Sequence, residues 1–154
     1  MSDYKYNTIN GIGNEWTLDT EQIFMCRTLN ALQDDKYEMK KSLDKFCNVD
    51  FIILNKNNLL SVLVEHKRKN INANNFDTFF IGATKVAMIN CFYPSPLIFV
   101  FECNDNIYWC LNDSEFSKRP TKFMNGGKVI EINKNECGVG FEKLMELIKQ
   151  NLHI

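Results

Sequence analysis

The segment from Val49 to Lys67 restricts the fold more than any other part of this chain. It reads as an apolar hairpin: Val49-Asp50-Phe51-Ile52-Ile53-Leu54, a turn at Asn55-Lys56-Asn57-Asn58, then Leu59-Leu60-Ser61-Val62-Leu63-Val64. Such strands belong to a sheet buried on both faces. Yet Asp50 opens the hairpin and Glu65-His66-Lys67 closes it. A lone charge is costly to bury, so these groups need partners. A divalent metal ion and a phosphate would serve.

The rest of the chain is compatible with a buried sheet. At 154 residues, 45% of them hydrophobic and 12 of them Phe, the sequence is expected to form one domain over 1–154 with a substantial core. Residues 1–14 read as a loose polar leader. The 18 basic and 19 acidic residues nearly cancel, leaving a net charge of −1. A molecule-wide electrostatic nucleic-acid binder is thereby excluded, and any such binding has to come from a local patch. The leader lacks an apolar signal region, and the longest apolar run, Leu97 to Phe101, is too short to cross a bilayer. The expectation is an intracellular protein of cytoplasm or nucleus, with no membrane. Its six cysteines, at 26, 47, 91, 103, 110 and 137, include no C-x-x-C pair, which argues against a zinc ribbon and for reduced, mostly buried thiols.

Along the chain, a helix is expected from about Thr20 to Leu32, with Thr17, Asp19 and Thr20 as capping candidates. Residues 33–48 read as a second helical stretch or as a helix followed by a short edge strand. After the hairpin, Thr78 to Ile81 reads as a strand broken by Gly82, and about Ala83 to Cys91 as a helix closed by Pro94 and Pro96. Leu97 to Cys103 and Ile107 to Leu111 form a second hairpin around Asn104-Asp105-Asn106. Lys128 to Ile132 reads as a strand, and Phe141 to Leu152 as an amphipathic helix. The class is mixed α/β.

Strand parity gives the first hairpin a geometry. If Leu54 faces Leu59, Asp50 faces Leu63, and Asp50, Ile52 and Leu54 share a face with Ser61, Leu63 and Glu65. Asp50 and Glu65 become diagonal neighbours, roughly 5–8 Å apart between β-carbons. Two carboxylates at that spacing can grip one Mg²⁺ or Mn²⁺ through oxygen ligands at about 2.1 Å. Lys67 points to the same side and can reach a phosphate oxygen. His66 points away, and its backbone carbonyl is a further candidate ligand. An ordinary solvated strand end with a weak Glu65–Lys67 pair would give the same residue string.

This pattern, Asp50, fourteen residues, then Glu65-His66-Lys67, resembles the core motif of the PD-(D/E)XK restriction-endonuclease-like nucleases. The resemblance covers roughly residues 15–111, including the order helix, hairpin, strand, helix, strand. Val49 stands where the motif's proline would be. The resemblance implies a mixed central sheet flanked by helices. It implies that Asp50 and Glu65 hold the metal with the His66 carbonyl, that Lys67 orients the attacking water and stabilises phosphate charge, and that metal ions polarise the scissile phosphate. It also implies a glutamate from the first helix near the metal, a place that Glu21 fits and Glu15 fits less well. Glu21 lies along a largely apolar helix face with Phe24, Met25, Thr28 and Leu29; an equally good account is that it stabilises the helix N-terminus through the dipole.

Around this centre, Lys67-Arg68-Lys69 is the densest basic cluster, and Arg68 and Lys69 are candidates for phosphate contact. Lys85, near the start of the helix after Gly82, is either a substrate-backbone contact or an exposed helix lysine. Lys118-Arg119 is a weaker patch. His66 reads as packed rather than catalytic, and with His153 as the only other histidine a Cys–His or Ser–His nucleophilic site has little support. The expected function is therefore a metal-dependent nuclease, Mg²⁺ or Mn²⁺ its cofactor, hydrolysing phosphodiester bonds with DNA favoured over RNA as partner. The alternatives are a non-catalytic binding or assembly module that keeps the fold, an RNA-directed nuclease, or a junction-resolving homodimer.

Overall fold

The computed structural model of the protein describes residues 20–41, 49–75, 77–87, 94–112, 116–124 and 126–153. Among the described residues, three α-helices, α1 (Thr20–Leu32), α2 (Ala83–Ala87) and α3 (Phe141–Leu152), accompany nine strands. The strands are β1 (Tyr37–Lys41), β2 (Phe51–Asn55), β3 (Ser61–Arg68), β4 (Thr78–Gly82), β5 (Leu97–Glu102), β6 (Ile107–Asn112), β7 (Thr121–Met124), β8 (Gly127–Asn133) and β9 (Gly138–Val139). The mixed α/β class holds. The leader, Glu15, the capping candidates Thr17 and Asp19, residues 42–48, Cys47, and the stretch 88–93 with Cys91 lie outside the described residues.

Six strands form one sheet in the order β1-β2-β3-β5-β6-β9, and β4, β8 and β7 form another. Among the described residues of the large sheet only the β3–β5 pair is parallel. That parallel pair requires a crossover, and the connection from β3 to β5 contains β4 and α2. β3 and β5 are the most deeply buried strands, which matches their near-continuous apolar sequence.

The two faces of this sheet are covered differently. One carries α1 and α3: Phe24, Met25, Leu144 and Ile148 pack on Phe51, Ile53, Val62, Val64, Ile98 and Val100. The other carries the small sheet and α2: Phe79, Ile81, Val86, Ile130 and Ile132 pack on Leu63, Leu97, Phe99 and Phe101. Helices alone do not flank the sheet, as the sequence reading expected. The reason is β4, which leaves the central sheet to pair with β8, so the second face is largely sheet on sheet.

Three local expectations change. The ambiguous stretch after α1 yields β1, which pairs with β2 as an antiparallel edge. The polar stretch around Lys118-Arg119-Pro120 leads into β7, whose residues are mostly exposed and give no apolar pattern to read. The hairpin register is also two residues off. Leu54 faces Ser61 and Phe51 faces Val64, because the turn begins after Asn55 rather than at it. Asn55 is buried, and its Nδ2 donates to the Leu152 carbonyl at the end of α3 at 2.9 Å while its Oδ1 accepts from the Asn57 N–H at 3.0 Å. A two-residue shift keeps every side chain on its expected face.

Candidate active site

β2 ends at Phe51, and the chain bends at Asp50. β3 continues past that point to Arg68. Among the described residues β2 pairs with β3 no further than Val64, and Asp50 stands at that point. Its N–H donates to the Val64 carbonyl at 3.1 Å, and its Oδ2 accepts the His66 N–H at 2.6 Å. The carboxylate thus replaces the carbonyl that β2 would have supplied. Because the N–H and C=O of one strand residue point to the same edge, the His66 carbonyl is directed towards the Asp50 side as well.

The register ends with Phe51 opposite Val64, and Asp50, at the bend just beyond, bonds that same Val64 carbonyl rather than extending the ladder to Glu65. The diagonal Asp50–Glu65 neighbours expected from strand parity presuppose a strand that runs through Asp50. Glu65 is 3% exposed. It lies beside Phe99 of β5, on the face of the second core, between Leu63 and Lys67. Lys67, beside Phe101, is partly buried on the same face. An ionised carboxylate in such apolar surroundings requires a compensating positive charge, and the nearest on its own strand face is Lys67.

His66 occupies the opposite face, as alternation requires. Its ring stacks on Phe24 of α1 with centroids 4.7 Å apart, and its Nε2 lies 2.8 Å from Glu102 Oε1. That hydrogen bond holds the Glu102 carboxyl below its ordinary value against the opposing effect of burial, with the charges of Arg68 and Arg27 adding to it. The sequence reading missed Glu102. Its signal was present in principle, since Glu102 ends an otherwise apolar strand, but its partner depends on β3 and β5 lying side by side.

The remaining candidates divide. Arg68 is engaged by its own backbone: its guanidinium donates to the carbonyls of Lys69 and Glu102 at 3.0 and 2.9 Å and to Asn104 Oδ1 at 2.7 Å. It fastens the end of β3 to the β5–β6 turn, which limits its reach towards a phosphate. Lys69 is partly buried just beyond it, its N–H bonded to the Glu102 carbonyl. Lys85 belongs to α2, which lies on the same sheet face as Glu65 and Lys67 through Val86. Glu21 belongs to α1, which lies on the other face with His66. The side chains of Glu21 and Lys85 are outside the described residues.

The carboxylates of Asp50 and Glu65 and the His66 backbone carbonyl are hard oxygen donors. Mg²⁺ typically takes one or two carboxylates and fills its remaining positions with water and substrate oxygens, so the residues fit such an ion. One hydrogen bond to Oδ2 leaves the Asp50 carboxylate with further acceptor capacity. Among the described residues there is no cluster of three His, Cys, Asp or Glu side chains around one point. No family model matches the chain, and no curated protein matches it. Among the described residues no helix is long and apolar enough to cross a membrane.

Proposed function

We propose that the protein is a metal-dependent nuclease of the PD-(D/E)XK type that hydrolyses phosphodiester bonds in DNA. One observation carries the reading: where β2 stops, Asp50 lies against the edge of β3 at Val64 and His66, beside the stretch whose Glu65 and Lys67 share one sheet face. Asp50, Glu65 and the His66 carbonyl would hold the ion. A bound Mg²⁺ or Mn²⁺ would act as a Lewis acid on the scissile phosphate. The Lys67 ammonium would stabilise the charge that builds on the phosphate oxygens as water attacks. The apolar wall of Phe99 and Phe101 beside Glu65 and Lys67 lowers the local dielectric and strengthens both effects. The uninterrupted run β1-β2-β3-β5-β6, with a single parallel pair after a crossover, supports the restriction-endonuclease-like fold that goes with this reading.

A second reading, a non-catalytic module that keeps the fold, draws on two contacts. Asp50 caps the His66 N–H, and Arg68 is tied to its own chain, as they would be if these residues only finished the end of β3. A cleavage assay separates the two. Single-stranded, duplex and branched DNA, and RNA, are incubated with the protein in Mg²⁺ or Mn²⁺, beside Lys67→Ala and Asp50→Asn. Cleavage that requires the ion and disappears in both variants supports the nuclease. Binding without cleavage, or cleavage equal in all three proteins, defeats it.

A further inference from the structure

β9 adds only Gly138 and Val139 to the edge of the large sheet, and their pairing fixes what lies beside them. Val139 faces Tyr108 and Gly138 faces Trp109. One step further along both chains, Cys137 faces Cys110. Cys137 is extended (φ −90°, ψ 149°), so strand geometry carries through it. The Gly140 N–H bonds the Ile107 carbonyl at 2.9 Å, which makes 107–140 a hydrogen-bonded position. By alternation 110–137 is then a non-hydrogen-bonded one, where α-carbons are about 4.5 Å apart and side chains are closest. That separation lies within the range of about 4.4–6.8 Å that a disulfide spans. Both side chains belong to the second core, and both are present as thiols.

The two sulfurs are not equivalent. Cys110 is buried, whereas Cys137 is only partly so. A cavity of about 260 Å³ is lined by Cys110, by Arg119 and by both chain neighbours of Cys137, Glu136 and Gly138. The cavity opens onto Cys110 and onto the residues that flank Cys137, which is itself partly exposed.

We propose that Cys110 and Cys137 are a cross-strand dithiol that low-molecular-weight disulfides oxidise to an intramolecular disulfide. Cys137 is the attacking sulfur. The hydrogen bond with Cys110, aided by the Arg119 charge, holds Cys137 below the ordinary thiol value against burial and Glu136, while the same bond and deeper burial push Cys110 up. The Cys137 thiolate attacks one sulfur of the small disulfide, whose S–S bond breaks and releases one thiolate. Cys110 gives up its proton to that thiolate and attacks Cys137 Sγ, and the mixed disulfide breaks to release the second thiolate, which takes up the proton lost when Cys137 ionised. Two protein thiols are oxidised and one small disulfide is reduced to two thiols. The new bond fastens β9 to β6 immediately before α3.

The test uses the full chain with graded ratios of oxidised to reduced glutathione, followed by alkylation, digestion and mass spectrometry. The expected result is a Cys110–Cys137 cross-linked peptide as the principal disulfide, with both thiols lost together. Cys110→Ser should stop at a glutathione adduct on Cys137, and Cys137→Ser should leave Cys110 unmodified. Oxidation should also raise the melting temperature of the wild type and leave that of Cys110→Ser where it was. Absence of the cross-link at every ratio, or an equal spread of adducts over Cys26, Cys103 and Cys137, overturns the proposal. The melting comparison keeps the test decisive if one serine variant folds poorly.

Discussion

Asp50 Oδ2 accepts the backbone N–H of His66 at 2.6 Å, one step beyond the last paired residue of β2. This contact makes Asp50 part of the strand's own hydrogen bonding as well as a candidate ligand. The two roles are separable, because the strand needs an acceptor and a metal ion needs a negative charge.

Asp50→Asn keeps an acceptor for the His66 N–H and removes the charge. It should fold with nearly wild-type stability and lose metal-dependent cleavage by roughly 100-fold or more; Lys67→Ala should lose a comparable factor. Asp50→Ala should in addition lose about 1–2 kcal/mol of stability, because a partly buried N–H is left without a partner. Denaturant titration beside the cleavage assay measures both. If Asn costs as much stability as Ala, the side chain's contribution is its charge and the hydrogen-bond account fails.

The His66–Glu102 pair predicts an acid-dependent component of stability. The Glu102 carboxyl is held below its ordinary value of 4.5 by the His66 hydrogen bond. A carboxyl depressed on folding adds stability that is fully present above its unfolded value and is lost as pH falls through its folded value. Glu102→Gln should therefore destabilise by about 1 kcal/mol near neutral pH, a modest figure because Glu102 is partly exposed. The gap to wild type should close as pH drops below 4.5. Urea midpoints across that interval test the sign: a gap that widens in acid contradicts the assignment.

Gly138 is confined by its neighbour. A β-carbon there would land inside the Trp109 indole, whereas one at Gly127 would meet nothing within 4 Å. Gly138→Ala should cost about 1–3 kcal/mol through displacement of Trp109, and Gly127→Ala should change stability by less than about 0.5 kcal/mol. Thermal melts with tryptophan fluorescence report both the loss and the indole's movement.

Asn55 joins the hairpin to the last helix by donating to the Leu152 carbonyl, and Asn58 donates to the same oxygen at 2.9 Å. Asn55→Ala should destabilise by about 1–2 kcal/mol. Amide exchange should accelerate in the last turn of α3 before it does in β5. Uniform acceleration would mean that Asn55 acts only as a buried polar residue in β2.

Much of the local structure was legible. α1 and α3 announced themselves by helical spacing of apolar residues, and the hairpin β5–β6 by its Asn-Asp-Asn turn; the Cys103 N–H indeed bonds the Asn106 carbonyl across it. β1 was legible only as one of two alternatives and β7 not at all, because edge strands need only one good face and these are charged or exposed. The face shared by Glu65 and Lys67, opposite to that of His66, was legible because side chains alternate along any strand. The pairings Asp50–His66, His66–Glu102 and Cys110–Cys137 were not, since each joins residues that only sheet order brings together.

The sequence by itself determined that a charged hairpin lies in an apolar sheet, and that Glu65 and Lys67 fall on one side of β3 and His66 on the other, since alternation is a property of any strand. Tertiary structure decided the register of the hairpin, in which Asn55 ends β2 and bonds the end of α3. It also decided which layer covers each face. β4 joined β8 instead of the central sheet, so Glu65 and Lys67 face a second sheet while His66 faces helices. Long-range backbone pairing of this kind leaves little trace in local pattern, because either arrangement buries the same apolar residues.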